Sequence, residues 1–438
     1  MSLRRKLLGI VALAFVALLS GCKVDTINYF PPHPANVRVM NLMTDGSTVS
    51  VQVAGNNAFT NVAPETFTGY QSFDNVTTSF AVFLNGSTTP ISTFSIPLAG
   101  EQPYTMAVFG TALSPASTLL AEVAKAPTNG NIQLSVFNAA INTTAVDIYV
   151  TAPGADITNL NPNYQFVSFN GSSFNLAFTP GTYQIQVTQQ GTKTVIFDSG
   201  GTVLQANIAL QLVLYSRGSG TLVNTAVLQS QGPTGFLNNI FARLKGVNGG
   251  DVNVGPVNQL LGTLAVNTNI GFGSTSTYFQ GPAGATTINY EASATPGANL
   301  ASVPTTLVSA NDYSSFIVGS AGAQQAYVLK DMNVPPFGGN VRLRFVNAIP
   351  GANPVNVTVS GAVQATAVAF PTASAYVQVP SAAAVPITFT DATTGATLLS
   401  ITPNLNVALT GFTTVPLTMT FYLVGTPTAA AAIITQDY

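Results

Sequence analysis

The sequence predicts an all-β chain of four tandem antiparallel sandwiches, and three observations predict it. Apolar residues alternate with a period of two along most of the chain. One strand motif recurs four times. No helical periodicity stands out beyond the apolar N-terminal run.

The N-terminus comes first. Met1 to Lys6 carries Arg4, Arg5 and Lys6, and Leu7 to Leu19 is apolar apart from Gly9. A basic start, a short apolar run and small residues before a cleavage point describe a secretory signal over residues 1–21. The run is shorter than the roughly 20 residues that span a bilayer. Leu19-Ser20-Gly21-Cys22 resembles the lipobox of a bacterial lipoprotein, and Cys22 is the only cysteine of 438 residues. The resemblance implies that the Cys22 thiol is alkylated by diacylglycerol, that cleavage makes Cys22 the new N-terminus, and that its amine is acylated. Several acyl chains, at about 0.8 kcal/mol per buried methylene, hold a protein on a membrane. In enterobacterial lipoproteins aspartate after the cysteine favours the inner membrane, so Lys23 implies sorting to the outer membrane. Residues 22–35 contain Pro31, Pro32 and Pro34 and read as an extended tether. His33, the only histidine, is expected to be a solvated tether residue.

Four copies of one domain follow. Val37-Arg38-Val39-Met40-Asn41 is echoed by Leu134-Ser135-Val136-Phe137-Asn138, by Ala242-Arg243-Leu244-Lys245-Gly246 and by Leu343-Arg344-Phe345-Val346-Asn347. Asn and Gly at the last position tolerate positive φ, which predicts a turn or bulge there. A second strand follows each time, as Val49 to Val53, Val146 to Val150, Val252 to Val254 and Val355 to Val359. Within the second copy Phe174, Leu176 and Phe178 alternate, then Tyr183, Ile185 and Val187, with Pro180-Gly181 as the turn between them. The copies are delimited at 36–127, 128–233, 234–336 and 337–438. About seven short strands in roughly 100 residues suggest an immunoglobulin-like sandwich. Each copy has enough apolar residues to bury its own face, which predicts a string of independent domains reaching roughly 150 Å.

Asn138-Ala139, Val146-Asp147-Ile148-Tyr149-Val150 and Pro180-Gly181-Thr182-Tyr183 resemble the bacterial family called domain of unknown function 4397. That family opens with a valine-rich strand and Asn/His-Ala, then Val-Asp-Val-Tyr-Val, and later Pro-Ala-Gly-Thr-Tyr. Arg344-Phe345-Val346-Asn347-Ala348 with Val355-Asn356-Val357 carries the resemblance into the fourth copy. The first and third copies match less closely. The motifs are strands and a turn, so the resemblance implies a fold and a secreted or lipid-anchored location. It implies no catalytic residues.

Composition narrows the chemistry. Charged residues are 6% of the chain, against about 25% in an average soluble domain. Loss of residues 1–21 removes Arg4, Arg5 and Lys6 and leaves the mature chain more acidic than the formal net charge of −2. Nucleic acid is not expected as a partner, because phosphate contacts need clustered Lys and Arg. With one histidine in the tether and one cysteine lipidated, neither a histidine triad, a cysteine nucleophile nor a His/Cys metal site is expected. No catalytic residue, metal site or cofactor is assigned. The glycine clusters Gly218-Ser219-Gly220 and Gly271-Phe272-Gly273 read as turns, and so does Asp251. Asp147 has Ser50 and Asn356 as counterparts, which predicts an outward strand residue rather than a catalytic acid. Tyr70, Tyr164 and Tyr376 flank strands and are assigned to core or rim packing.

These features favour a non-enzymatic lipoprotein of the bacterial envelope, acting in binding, adhesion or envelope structure. It would be held to the membrane at Cys22, with an unknown protein, glycan or cell-wall ligand. One alternative is a carboxylate-based envelope glycan hydrolase, which needs two acids facing each other in a cleft of one copy. A transmembrane β-barrel is the other, loosely suggested by alternating strands and the terminal Tyr438. If the lipobox reading holds, mass spectrometry of the mature N-terminus finds acyl groups on Cys22, and Cys22→Ser abolishes them. An unmodified Cys22 overturns it.

Overall fold

The computed structural model describes residues 33–123, 125–230, 232–334, 336, 340–405 and 418–437. Leu19, Ser20, Gly21, Cys22 and the rest of the signal lie outside the described residues, as does Tyr438.

The all-β expectation holds: the described strands form eight separate sheets, two in each copy. None closes into a barrel, which answers the barrel alternative. The fourth copy shows the plan. Its first sheet runs Val377–Pro380, Asn340–Asn347, Thr418–Thr426, Ala429–Asp437. Its second runs Ala362–Val368, Val355–Val359, Ile387–Asp391, Thr397–Ile401. The opening strand thus joins the closing hairpin, and the whole second sheet lies between them in sequence.

One pairing in each copy is parallel. Asn340–Asn347 pairs with Thr418–Thr426 in register Arg342 to Thr418. Equivalent parallel pairs open the other three copies. Parallel neighbours need a long crossover, and here the second sheet is that crossover. The short edge strands Phe279–Pro282 and Val377–Pro380 carry no clear alternation and were not visible in the sequence. Thr234–Leu237, which opens the 234–336 span, pairs instead as an edge strand with Val223–Gln229 of the second copy.

Alternation fixes the core. Val341, Leu343 and Phe345 of the opening strand meet Val355, Val357, Ile387, Phe389, Phe421 and Leu423 inside the fourth copy, and all are buried. Each such side chain contributes roughly 1.5–3 kcal/mol of transfer free energy.

The turn expected at the end of the repeated motif is corrected. Asn41, Asn138 and Asn347 lie within strands, fully or almost fully buried, and none has positive φ. The third copy's equivalent is Asn248 rather than Gly246, two residues on. Each of the four Asn side chains joins its opening strand to the second sheet. Asn41 Nδ2 donates to the carbonyls of Ser47 and Val62, Asn248 Nδ2 to Gly255 and Ile270, and Asn347 Nδ2 to Asn353 and Val368. Asn138 Nδ2 donates to Thr143 Oγ1 and the Val167 carbonyl. In each case Oδ1 accepts from the main-chain N–H two residues ahead. The residue type is selected by its donor and acceptor capacity, not by its tolerance of positive φ. Gly246 is small for another reason: a Cβ there would stand 2.6 Å from Ile270 Cδ1.

An Asn347→Ala substitution strips partners from two carbonyls and one N–H. At about 1–3 kcal/mol for each group left buried and unpaired, it should lower the stability of its copy by at least about 2 kcal/mol, read as a lower urea midpoint. An unchanged midpoint contradicts the clamp.

Candidate functional site: the faces between copies

The first sheet of each copy is apolar on both faces. In the opening strands Met40, Leu42, Phe137 and Ala139 point away from their own cores. They form a second cluster with Ala107, Phe109, Leu120, Val213, Tyr215, Ala226 and Leu228, which joins the first copy to the second. Phe109 meets Phe137 edge-on at 5.8 Å. The third and fourth copies join in the same way through Val247, Phe316, Val318, Val346, Ala348, Tyr422, Val424 and Ile433. A Cβ on Gly249 would stand 2.8 Å from Val424 Cγ1, so glycine admits the close approach. The expectation of independent domains is therefore corrected. Alternation showed one apolar face per strand, and the second face was hidden among residues such as Arg344 and Lys245.

Those charged residues are the most unusual feature of the interface. Lys245 of the third copy donates to Asp437 and Thr435 of the fourth. In return Arg344 of the fourth donates to Asp331 Oδ1 of the third at 2.5 Å and to the Lys330 carbonyl at 2.9 Å. Arg344 also donates to Thr420 Oγ1, which itself donates to Asp437. Arg243 pairs with Asp312 through two bonds. Tyr278 lies under Arg243 and Lys245, and Tyr376 under Arg344, with ring centres 4.6–5.0 Å from the charges. Cation–π contacts of this kind strengthen when desolvated.

Burial alone would push the Asp331 carboxyl up. The charges of Arg344 and Lys245, with hydrogen bonds from Ser314 and Tyr278, hold it below the usual carboxylate value. Burial likewise works against the Arg344 cation, but the carboxylates of Asp331 and Asp437 hold its pKa well above the ordinary one. Burial raises Tyr376 and Tyr278, so both are neutral phenols.

The first and second copies carry a reduced version. Arg38 donates to Glu122 at 3.0 Å within its own copy and to the Gln229 and Gly232 carbonyls of the second. Thr105 and Tyr70 complete the Glu122 shell. Beside them lies a cleft of about 300 Å³ between Thr118–Val123 and the second copy's sheet. A smaller one of about 230 Å³ lies where Glu65, Arg217 and Val308 bring three copies together, and there Arg217 pairs with Glu65 at 2.7 Å.

The residues singled out in the sequence take structural positions. Tyr70 and Tyr376 serve the ion pairs. Tyr164 is buried and donates to the Leu134 carbonyl. Asp147, expected to point outward, is buried and accepts from the N–H groups of Phe166 and Gly191. Ser50, Asn258 and Asn356 do the corresponding work for Asn61, Asn269 and Ala367. Those four amide donors, Phe166 included, all have φ between 49° and 57°. The side chain thus holds a left-handed bulge in each copy, a task any short oxygen acceptor performs. The strand expected at Val252 to Val254 is corrected: those residues form a single helical turn capped by Asp251, and the third copy's second strand is Val257–Leu261. His33 meets Glu101 at an exposed site. Among the described residues no group of three or more His, Cys, Asp or Glu is placed to hold a metal.

A family model described as Domain of unknown function (DUF4397) matches residues 35–149 and 249–357. No curated protein matches the chain. Among solved structures, the C-terminal domain of AlgF from P. aeruginosa is 22% identical, with 20% of this chain and 98% of that one covered and a TM-score of 0.17. A family 41 carbohydrate-binding module from streptococcal virulence factors, described as recognising α-glucan, is 8% identical over 41% of this chain and 93% of that one (TM-score 0.16). A family 26 module from Eubacterium rectale Amy13K, solved with maltoheptaose, is 10% identical over 45% and 97% (TM-score 0.15). At these scores the likenesses carry no argument about function.

Removing one partner of a buried ion pair costs about 3–5 kcal/mol, whereas replacing both with apolar groups is often near neutral. Arg344→Met should therefore destabilise the third and fourth copies by that amount, and Arg344→Met with Asp331→Leu should recover most of it in urea titrations. A carboxyl with a depressed folded pKa contributes stability above its unfolded value near 4 and loses it as pH falls through the folded value. The Asp331 contribution is thus constant near neutrality and is lost only in acid. Acid titration of the parent should show this loss, and the double variant should lack it.

Proposed function

The chain belongs to the family of domain of unknown function DUF4397, and from that premise we propose that it is a non-catalytic β-module protein of the bacterial envelope. In this reading it is anchored through lipid on Cys22, and its paired copies present loops and clefts to a protein, glycan or cell-wall partner. The observation that carries the reading is the employment of its acids. Glu122 and Glu65, which line the two interface clefts, are each bound to an arginine. Asp331, Asp312 and Asp437 are committed to cations. Asp147 and Asp198 are buried and accept main-chain N–H groups. A glycan hydrolase of the carboxylate type needs an acid and a base left available to substrate, and these carboxylates are engaged in holding the fold. Weak contacts made by several joined modules add through effective concentration, which suits an anchored binding protein.

Fractionation of cells carrying the full chain should recover it with the outer membrane, and Cys22→Ser should move it to the soluble extracytoplasmic fraction. Recovery in the cytoplasm would sink the proposal. Protease access to the fourth copy in intact cells would assign an outward-facing, adhesive role. Protection until the outer membrane is permeabilised would assign partners in the periplasm.

A further inference from the structure

The two paired interfaces share one plan and differ at one corner. In the third-and-fourth pair that corner is filled by Arg344, lying over Tyr376 and bound to the Lys330 carbonyl, Asp331 and Thr420. Strand registers identify the same corner in the first-and-second pair. Ser135 faces Gln211 as Arg344 faces Thr420. Ser173 Oγ accepts from the Val136 N–H as Ser374 Oγ accepts from Phe345, which sets Asn175 at the place of Tyr376. Ser230 bonds to Ala209, two residues before Gln211, as Asp437 faces Thr418, two before Thr420. Ala121 and Glu122 take the places of Lys330 and Asp331, the residues that receive the guanidinium.

The second copy thus has Ser135, Asn175 and Ser230 where the fourth has the arginine, the ring beneath it and the neighbouring acid. Ser135, Asn175, Gln211 and Ser230, with Ala121 and Glu122, line the 300 Å³ cleft. The Ala121 carbonyl stands in the place of the Lys330 carbonyl, while Glu122, in the place of Asp331, is already bound by Arg38, Tyr70 and Thr105. Gln211 Oε1, in the position of Thr420 Oγ1, is buried without a hydrogen-bond partner among the described residues.

We propose that this cleft binds a guanidinium group supplied from outside the chain, in the seat that Arg344 fills in the sister pair. The inference rests on the non-catalytic binding role proposed above. A planar guanidinium satisfies several acceptors at once in fixed directions, which a compact ammonium does not. The group is carried either by a small guanidine compound or by an arginine of a polypeptide.

Calorimetric titration of the full chain in detergent with n-butylguanidinium, n-butylammonium and the peptide Gly-Arg-Gly tests this. The guanidinium should bind about tenfold more tightly than the ammonium, because only it can use the fork of acceptors. Ser135→Arg should abolish binding by filling the seat from within, with the circular dichroism spectrum unchanged. If that variant fails to fold, Gln211→Leu should weaken binding by about tenfold through loss of one acceptor. Tighter binding of the peptide identifies an arginine-bearing polypeptide as the source, and equal or weaker binding identifies a small guanidine. Equal affinity for the two alkyl cations, or unimpaired binding by a folded Ser135→Arg chain, overturns the site. Such a result with correct envelope fractionation rejects the cleft alone, whereas cytoplasmic recovery rejects the role on which it rests.

Discussion

Exchange of charge between the third and fourth copies governs the rest of the architecture. Lys245 and Arg344 are almost completely buried, and transfer of each ion from water costs several kcal/mol unless an opposite charge and hydrogen bonds meet it. Each meets its acid on the other copy. Separation of the copies would expose an apolar face and break both ion pairs at once. The apolar cluster therefore supplies the attraction, and the crossed pairs supply the alignment, since a shifted docking would strand charges in a dry interface. Gly249 and the rings of Tyr278 and Tyr376 follow from that alignment: one admits the approach, the others cover the cations.

The copies reveal which tasks are fixed by geometry and which by chemistry. The Asn clamp is present in all four, because a single side chain has to donate two hydrogen bonds and accept one in a dry strand. The bulge in the neighbouring strand needs only an acceptor, and Ser50, Asp147, Asn258 and Asn356 supply it in turn. This is why an aspartate in the middle of a recurrent motif is no sign of catalysis. The interface charges vary more, from the two crossed pairs of the last two copies to the Arg38–Glu122 and Arg217–Glu65 pairs of the first two, because apolar area alone can hold two sheets together.

Much of this is legible in the sequence. Period-two alternation reveals the sandwiches, and the recurrent opening strand reveals their number. Alternation reports on one face at a time, so the second buried face of the opening strands stays hidden. A lysine or arginine at an outward position reads as solvated, and nothing local distinguishes Arg344 from a surface residue. Its acid lies in another repeat. The Asn residues are visible as a recurrence but read as turn residues, since the residue types that accept positive φ are also those that hydrogen-bond to main chain. The offset in the third copy arises because Gly246 resembles a turn residue, while Asn248 beside Gly249-Gly250 does not stand out.

The topology also sets an order of events. Lys245 and Asp437 are 192 residues apart in the chain, and every opening strand is paired in parallel with one that arrives only after an entire sheet has intervened. Contacts of such long sequence separation form late, because loop closure has to precede any gain from them. A chain delivered N-terminus first would carry the opening strand of each copy unpaired until the last hairpin of that copy emerged. The third copy would wait longer still, for the final strand of the fourth. The half-made third-and-fourth unit is consequently the species most exposed to wrong partners. Its uncompensated lysine and arginine oppose premature burial of that face, much as charged gatekeepers protect an open sheet edge.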